Sequence, residues 1–205
     1  MKGKKNLLEQ LNHLPHFTKN TIYQLGSQLG LKENTINTYI SRFLKRKEVL
    51  SLKRGLYISA DFIANNKNDI SYFFYLANIL RTPSYISSWT ALQYYHLTTE
   101  AIRSITSVTP KVTRDYETKA GTFSYQSMKK ELFTDYSLEK GTFDFFIASP
   151  SKALFDLLYF GTRQFRSIRV DDVEKMIKEL RIDFDEMCEE EQKKFYHKIK
   201  SVFYE

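Results

Sequence analysis

Between Leu7 and Ile58 the chain spells three helices and a hairpin in a fixed order, and that order constrains the fold more than any other feature. Leu7, Leu8, Leu11 and Leu14 recur at helical spacing until Pro15 ends the run. Thr18 or Asn20 can cap a second helix whose buried stripe is Ile22, Leu25 and Leu29. Gly30 follows as a terminator, and Leu31 can plug the gap between helices. A third helix is predicted from about Lys32 to Lys47, with Ile36, Tyr39, Ile40, Phe43 and Leu44 on one apolar face. Two β-prone runs, Val49 to Leu52 and Leu56 to Ile58, then flank Lys53-Arg54-Gly55, where Gly55 supplies the positive φ of a tight turn. Three helices closed by a hairpin with a charged tip read as a winged helix-turn-helix.

Positive charge gathers in the same region. Through Ile58 there are eleven Lys and Arg against Glu9, Glu33 and Glu48, a net of +8. The remaining residues carry twenty basic and twenty-one acidic side chains, a net of −1. The formal +7 of the chain therefore belongs to one small unit, which is the electrostatic footprint expected of a protein that binds double-stranded DNA. The outer face of the third helix carries Asn34, Thr35, Asn37, Thr38, Ser41, Arg42 and Lys45. A merely solvated helix usually mixes Glu and Lys; this one is short and hydrogen-bonding at its start and basic at its end. Lys32, Asn34, Thr35, Asn37, Thr38 and Arg42 are expected on or near a major-groove face. Lys45, Arg46, Lys53 and Arg54 are expected to hold phosphates or enter the minor groove. The plainer alternative is a basic three-helix unit that binds a protein or stays solvated.

The length of 205 residues and a polar stretch at Asn65-Asn-Lys-Asn-Asp69 favour two domains, residues 1–60 and 70–205. A helix is predicted over Tyr72 to Leu80, ended by Pro83, and another over Trp89 to Tyr95, capped by Ser87 or Ser88. Arg103 to Thr109, Phe123 to Tyr125 and Phe143 to Ala148 read as strands. Ser149 and Pro150 open a helix with Ala153, Leu154, Leu157 and Leu158 inward, which Gly161 ends. Asp171 is expected to cap a helix through Leu180. A last amphipathic helix carries Met187, Phe195, Ile199, Val202 and Phe203 on its apolar side. The fold class is α+β, with a small mixed or antiparallel sheet covered by helices.

No apolar run approaches the roughly 20 residues that span a bilayer, and no apolar segment follows the basic start, so neither a membrane span nor a signal peptide is expected. A lone Cys188 leaves no intramolecular disulfide and suits a reducing cytoplasm.

Three blocks carry a family resemblance. Tyr85-Ile-Ser-Ser-Trp-Thr-Ala-Leu-Gln-Tyr-Tyr-His-Leu-Thr98 and Ala148-Ser-Pro-Ser-Lys-Ala-Leu-Phe-Asp-Leu-Leu-Tyr159 resemble recurring blocks of the AbiEi antitoxin family, and Arg54-Gly55-Leu56-Tyr57 is similar to the end of its amino-terminal winged helix. The resemblance implies a bacterial repressor that binds repeats upstream of its own operon. It also implies the antitoxin of a type IV toxin–antitoxin pair, opposing a nucleotidyltransferase toxin without a required stable complex. Ser151 stands where the family usually has Glu, and the part after the shared block is short.

Catalytic patterns are weak. Asp171-Asp172 and Asp183-Phe-Asp185 read as a helix cap and a polar connection rather than a metal site. Lys152 and Asp156, four apart on a helix, read as a surface ion pair. His13, His16, His96 and His197 show no metal or triad spacing, and no Gly-rich phosphate loop occurs. Glu189-Glu-Glu191 reads as a solvated turn paired by Lys193-Lys194. No enzyme, cofactor or metal is expected. The alternatives are a ligand-sensing winged-helix regulator and a metal-dependent enzyme targeted to nucleic acid.

Overall fold

The structure, a computed structural model, describes residues 2–101, 103–166, 169 and 171–204. Helix α1 (Lys2–Leu11) buries Leu7 and Leu11, and a short strand β1 (Phe17–Thr18) leads into α2 (Lys19–Gln28). Thr18 caps α2: its hydroxyl accepts from the Thr21 N–H, while the Thr21 hydroxyl accepts from the Thr18 N–H. Gly30 follows at φ +71°, a left-handed geometry that costs glycine little. Helix α3 (Glu33–Lys45) is shorter at both ends than its sequence pattern and buries Ile36, Ile40 and Phe43. It meets α2 at Gly26, where a Cβ would lie 2.5 Å from the Ile36 side chain, so only glycine allows this approach. Strands β2 (Val49–Lys53) and β3 (Leu56–Ser59) form the hairpin, turning at Gly55 with φ +81°. With β1 they make a three-stranded sheet in the order β1-β3-β2, and nothing in this arrangement conflicts with the expected winged helix.

Alternation along the hairpin gives it two apolar sides. Val49 and Tyr57 pack with Phe17, Ile36 and Phe43 in the small core under α1–α3. Leu50, Leu52, Leu56 and Ile58 pack into the larger core of the second half. The chain then enters α4 (Ala60–Asn65), capped by the Ser59 hydroxyl, so the polar stretch begins at the last residue of a helix. Asp69 caps α5 (Ile70–Leu80). Three contacts tie α5 to the amino-terminal unit. The Tyr72 hydroxyl donates to the Pro15 carbonyl at 2.8 Å, the Tyr75 hydroxyl pairs with His16 Nδ1 at 2.7 Å, and Lys53 Nζ donates to the Leu80 carbonyl at 2.6 Å.

The larger unit holds β4 (Tyr85–Ile86), α6 (Ser88–Tyr94), β5 (Ser104–Thr109), β6 (Arg114–Thr118), β7 (Gly121–Ser127), β8 (Tyr136–Glu139) and β9 (Phe145–Ala148). The sheet order is β6-β7-β5-β4-β9-β8. Pairs β4–β9 and β5–β7 are parallel and the others antiparallel, so the sheet is mixed. Sequence patterns give β5, β7 and β9; the short or exposed strands β4, β6 and β8 are additions. Helices α7 (Pro150–Gly161), α8 (Asp172–Glu179) and α9 (Glu189–Tyr204) complete the chain, and the fold class is α+β as expected.

The Ser149 hydroxyl accepts from the Lys152 N–H at 3.3 Å, with Pro150 in the first turn of α7. Two other caps differ from expectation. Asp171 precedes α8 without capping it, and Asp172 instead accepts from the Arg169 N–H at 2.9 Å. Ser87 precedes α6, but its hydroxyl is drawn to Asp156. Helix α9 buries Phe195 and Ile199, with Met187 just before it and Val202 half-buried; the Phe203 side chain lies outside the described residues. Among the described residues no helix is long and apolar enough to cross a membrane.

Burial lowers the pKa of His16 below its ordinary 6.5. The folded chain then binds this proton less readily than the unfolded chain. The associated stability is complete above pH 6.5 and is lost as the pH falls below it. Thermal unfolding should show a fall in Tm below pH 6.5 that is shallower in His16→Gln; identical slopes would remove His16 as the cause.

Candidate nucleic-acid interface

Residues 34, 38, 42 and 45 share one face of α3 by helical spacing, and Asn34, Thr38, Arg42 and Lys45 are all exposed there together with Ser41. Glu33 is the one acidic residue of the helix, in its first turn, while Arg42 and Lys45 occupy its last turn. The Thr38 hydroxyl donates to the Asn34 carbonyl at 2.8 Å, which leaves its oxygen free to accept. Lys32 is exposed just before the helix, and Thr35 is half-buried beside it. Lys32, Arg42, Lys45 and Arg54 have no acidic partner among the described residues. Arg46 lies 4.0 Å from Glu48, which also pairs with Lys4 at 3.4 Å, so its charge is partly answered. Unanswered cations on one surface keep their full attraction for an anionic backbone.

Two expected site residues have other partners. Asn37 is half-buried, and its Oδ1 accepts from the Tyr23 hydroxyl of α2. Its position one residue before the exposed stripe turns it toward the neighbouring helix, which it joins through this bond. Lys53 is half-buried, and its ammonium answers the Leu80 carbonyl at the carboxy-terminal end of α5. Of the two cations expected at the hairpin tip, Arg54 remains exposed. One cation was missed. Lys47 follows α3 at φ +59°, is exposed, and has no acidic partner among the described residues. Its signal was the unbroken run Lys45-Arg46-Lys47.

The second gathering of charge is internal. Lys152 and Asp156 are each 0% exposed, with Nζ 2.5 Å from Oδ1, which corrects the expected surface pair. Helix α7 is apolar nearly all round and is buried on nearly all sides, so its polar residues are enclosed with it. Asp156 Oδ2 accepts from the Tyr85 hydroxyl at 3.1 Å and the Ser87 hydroxyl at 2.7 Å. Burial is the largest influence on both partners, raising the pKa of Asp156 and lowering that of Lys152, and their mutual attraction opposes it. Sealed from solvent, the pair holds α7 to β4 and cannot meet a substrate.

Glu191 also differs from expectation. It sits in the first turn of α9, half-buried, and accepts from the Ser151 N–H at 3.0 Å and the Ser151 hydroxyl at 2.6 Å. A carboxylate from α9 thus stands at the start of α7, where the helix dipole favours it. Asp183 and Asp185 flank and enter a single helical turn, exposed and apart. Among the described residues no three His, Cys, Asp or Glu gather closely enough to hold a metal ion. No model of a known protein family matches this chain, and no curated protein matches its sequence.

Removing one partner of the internal pair leaves a buried charge unanswered. Asp156→Ala should cost about 3–5 kcal/mol in denaturant unfolding, and the double change Lys152→Met/Asp156→Leu should recover only the share owed to the unpaired ammonium, because the Tyr85 and Ser87 hydroxyls stay without an acceptor. A double variant no more stable than the single one would mean that the charges themselves are required. At the hairpin, Lys53→Met should cost roughly 1–2 kcal/mol through the lost charged hydrogen bond, whereas Arg54→Met should stay within about 0.5 kcal/mol. Equal losses would show that the Lys53–Leu80 contact contributes nothing.

Proposed function

We propose that this chain is a sequence-specific, cytoplasmic DNA-binding repressor that controls its own operon and acts as the antitoxin against a nucleotidyltransferase toxin. The observation that carries the DNA-binding half is the exposed stripe of α3. Asn34 and Thr38 lie in its amino-terminal half, where a groove-bound helix meets base edges. Arg42, Lys45 and Lys47 follow as unpaired cations at its far end, and Arg54 stands at the hairpin tip. Short polar groups that read bases, ordered before cations that hold phosphates, are what the two kinds of contact require. The antitoxin half rests on the AbiEi-like blocks at residues 54–57, 85–98 and 148–159. The enclosed Lys152–Asp156 pair supports binding over turnover, because it removes the most enzyme-like pair in the chain from any substrate.

Fluorescence anisotropy on the duplex directly upstream of the gene, against a scrambled duplex, tests the DNA reading. Asn34→Ala should lose about 1–3 kcal/mol on the upstream duplex alone. Lys45→Ala and Arg54→Ala should weaken both duplexes alike, each lowering the salt slope by about one. Equal affinity of the native chain for the two duplexes would sink sequence-specific recognition. Co-expression with a nucleotidyltransferase encoded beside the gene should restore growth, including for an Arg42→Ala/Lys45→Ala variant that no longer binds DNA. Growth arrest despite the native chain would end the antitoxin half.

A further inference from the structure

Helices α5 and α6 and the start of β5 enclose a groove of about 480 Å³ that the DNA reading leaves unused. Its volume is that of a small-molecule site. Ile70 and Phe74, one turn apart on α5, form one wall, and Tyr94 of α6 and Ile105 of β5 face them. The Phe74 and Tyr94 rings meet edge to face at 5.8 Å, so the apolar lining is largely aromatic. Ile70 is 53% exposed at the mouth of the groove.

The polar groups of the lining are unevenly used. Thr90 is spent on the Ser104 carbonyl and on Thr106, and the Gln93 amide donates to the Glu100 carbonyl at 3.4 Å. Arg103, by contrast, has neither a hydrogen bond nor an ion pair among the described residues, and no carboxylate lines the groove. His96 stands near it at φ +59° and is exposed. An aromatic-walled groove with one unanswered guanidinium is complementary to a planar apolar body that ends in an anion.

We propose that this groove is a binding site for an aromatic carboxylate, seated between Ile70, Phe74, Tyr94 and Ile105 with its carboxylate on Arg103. Arg103 is exposed on the rim, where a guanidinium can offer two parallel N–H donors to a carboxylate. The site is built on the helix that also holds the amino-terminal unit, since α5 carries Tyr72 and Tyr75 on another face. The proposal stands on the groove alone and does not require that the chain bind DNA.

Calorimetric titration of the full chain with 2-naphthoate tests it. One equivalent should bind saturably, and 2-naphthalenemethanol, which keeps the rings and lacks the charge, should bind at least about tenfold more weakly. Arg103→Gln should weaken 2-naphthoate about tenfold, a loss of one charged hydrogen-bonding partner. Gln93→Trp, which fills the groove from its exposed rim, should abolish binding. Leu138→Ser, on the separate exposed patch of Tyr136, Leu138 and Phe146, should bind as the native chain does. No saturable binding up to about 1 mM, the weak end of specific affinity, would overturn the proposal. Retained binding in Arg103→Gln would overturn it equally, since that variant alters only an exposed side chain and needs no refolding of the core. Tighter binding of decanoate than of 2-naphthoate would overturn the aromatic assignment.

Discussion

The arrangement of the whole molecule depends on the hairpin β2–β3 having two buried sides. Val49 and Tyr57 complete the core under α1–α3, and Leu50, Leu52, Leu56 and Ile58 complete the core of the larger unit. Each side removes apolar area from water, so separating the two units would expose four aliphatic side chains at once. The hairpin is thereby a shared wall rather than a wing held out in solvent. Its polar edge follows the same logic: Lys53 is close enough to α5 to bond the Leu80 carbonyl, and Arg54, one residue further, is left outside. The position of α3 relative to the large sheet is set by this wall together with the Tyr72 and Tyr75 contacts to Pro15 and His16.

That coupling narrows what the DNA reading can use. A cation at a hairpin tip serves a phosphate only if it is not already bonded within the protein, and the same holds for an amide on a helix face. Lys53 and Asn37 are both engaged within the chain, while Arg42, Lys45, Lys47 and Arg54 are not. The net charge of the amino-terminal region therefore overstates its free charge. Lys4, Lys5 and Arg46 have carboxylate partners, and among the described residues the cations without one are Lys19 at the start of α2, Lys32 just before α3, those along α3 and at its end, Arg54 at the tip, and Lys53, which is bonded to a carbonyl.

Helix periods made α2, α3, α5 and α7 legible because each has a continuous apolar stripe and a cap or breaker at its ends. Gly30 and Gly55 were legible for the same reason: positive φ leaves few other choices. The strands β4 and β8 were not, because two or four residues carry too short a pattern to separate from a loop. The second side of the hairpin was present as Leu50, Leu52, Leu56 and Ile58, but alternation reports that a face is apolar and does not say what covers it. Lys152 and Asp156 failed differently. Spacing of four gave the pairing correctly, and the apolar residues on every side of them, from Ala153 to Leu158, held the burial signal that pair spacing alone lacks.

The segments 85–98 and 148–159 meet at one atom. Tyr85 and Ser87 come from the first and Asp156 from the second, 71 and 69 residues apart in the chain, and both hydroxyls converge on Asp156 Oδ2. Replacing Asp156 leaves Lys152 and the Tyr85 and Ser87 hydroxyls without this acceptor in a closed interior, where each missing hydrogen bond costs its full desolvation. Such a network constrains its members together and joins α7 to the sheet. Ser151 adds a second join, since its N–H and hydroxyl take a carboxylate from Glu191 on α9, so an acidic group stands beside the helix start although the residue there is not acidic. The side chains that face solvent rather than one another lie on α3, on the exposed strand β8 and, within the first of these segments, at Gln93 and His96.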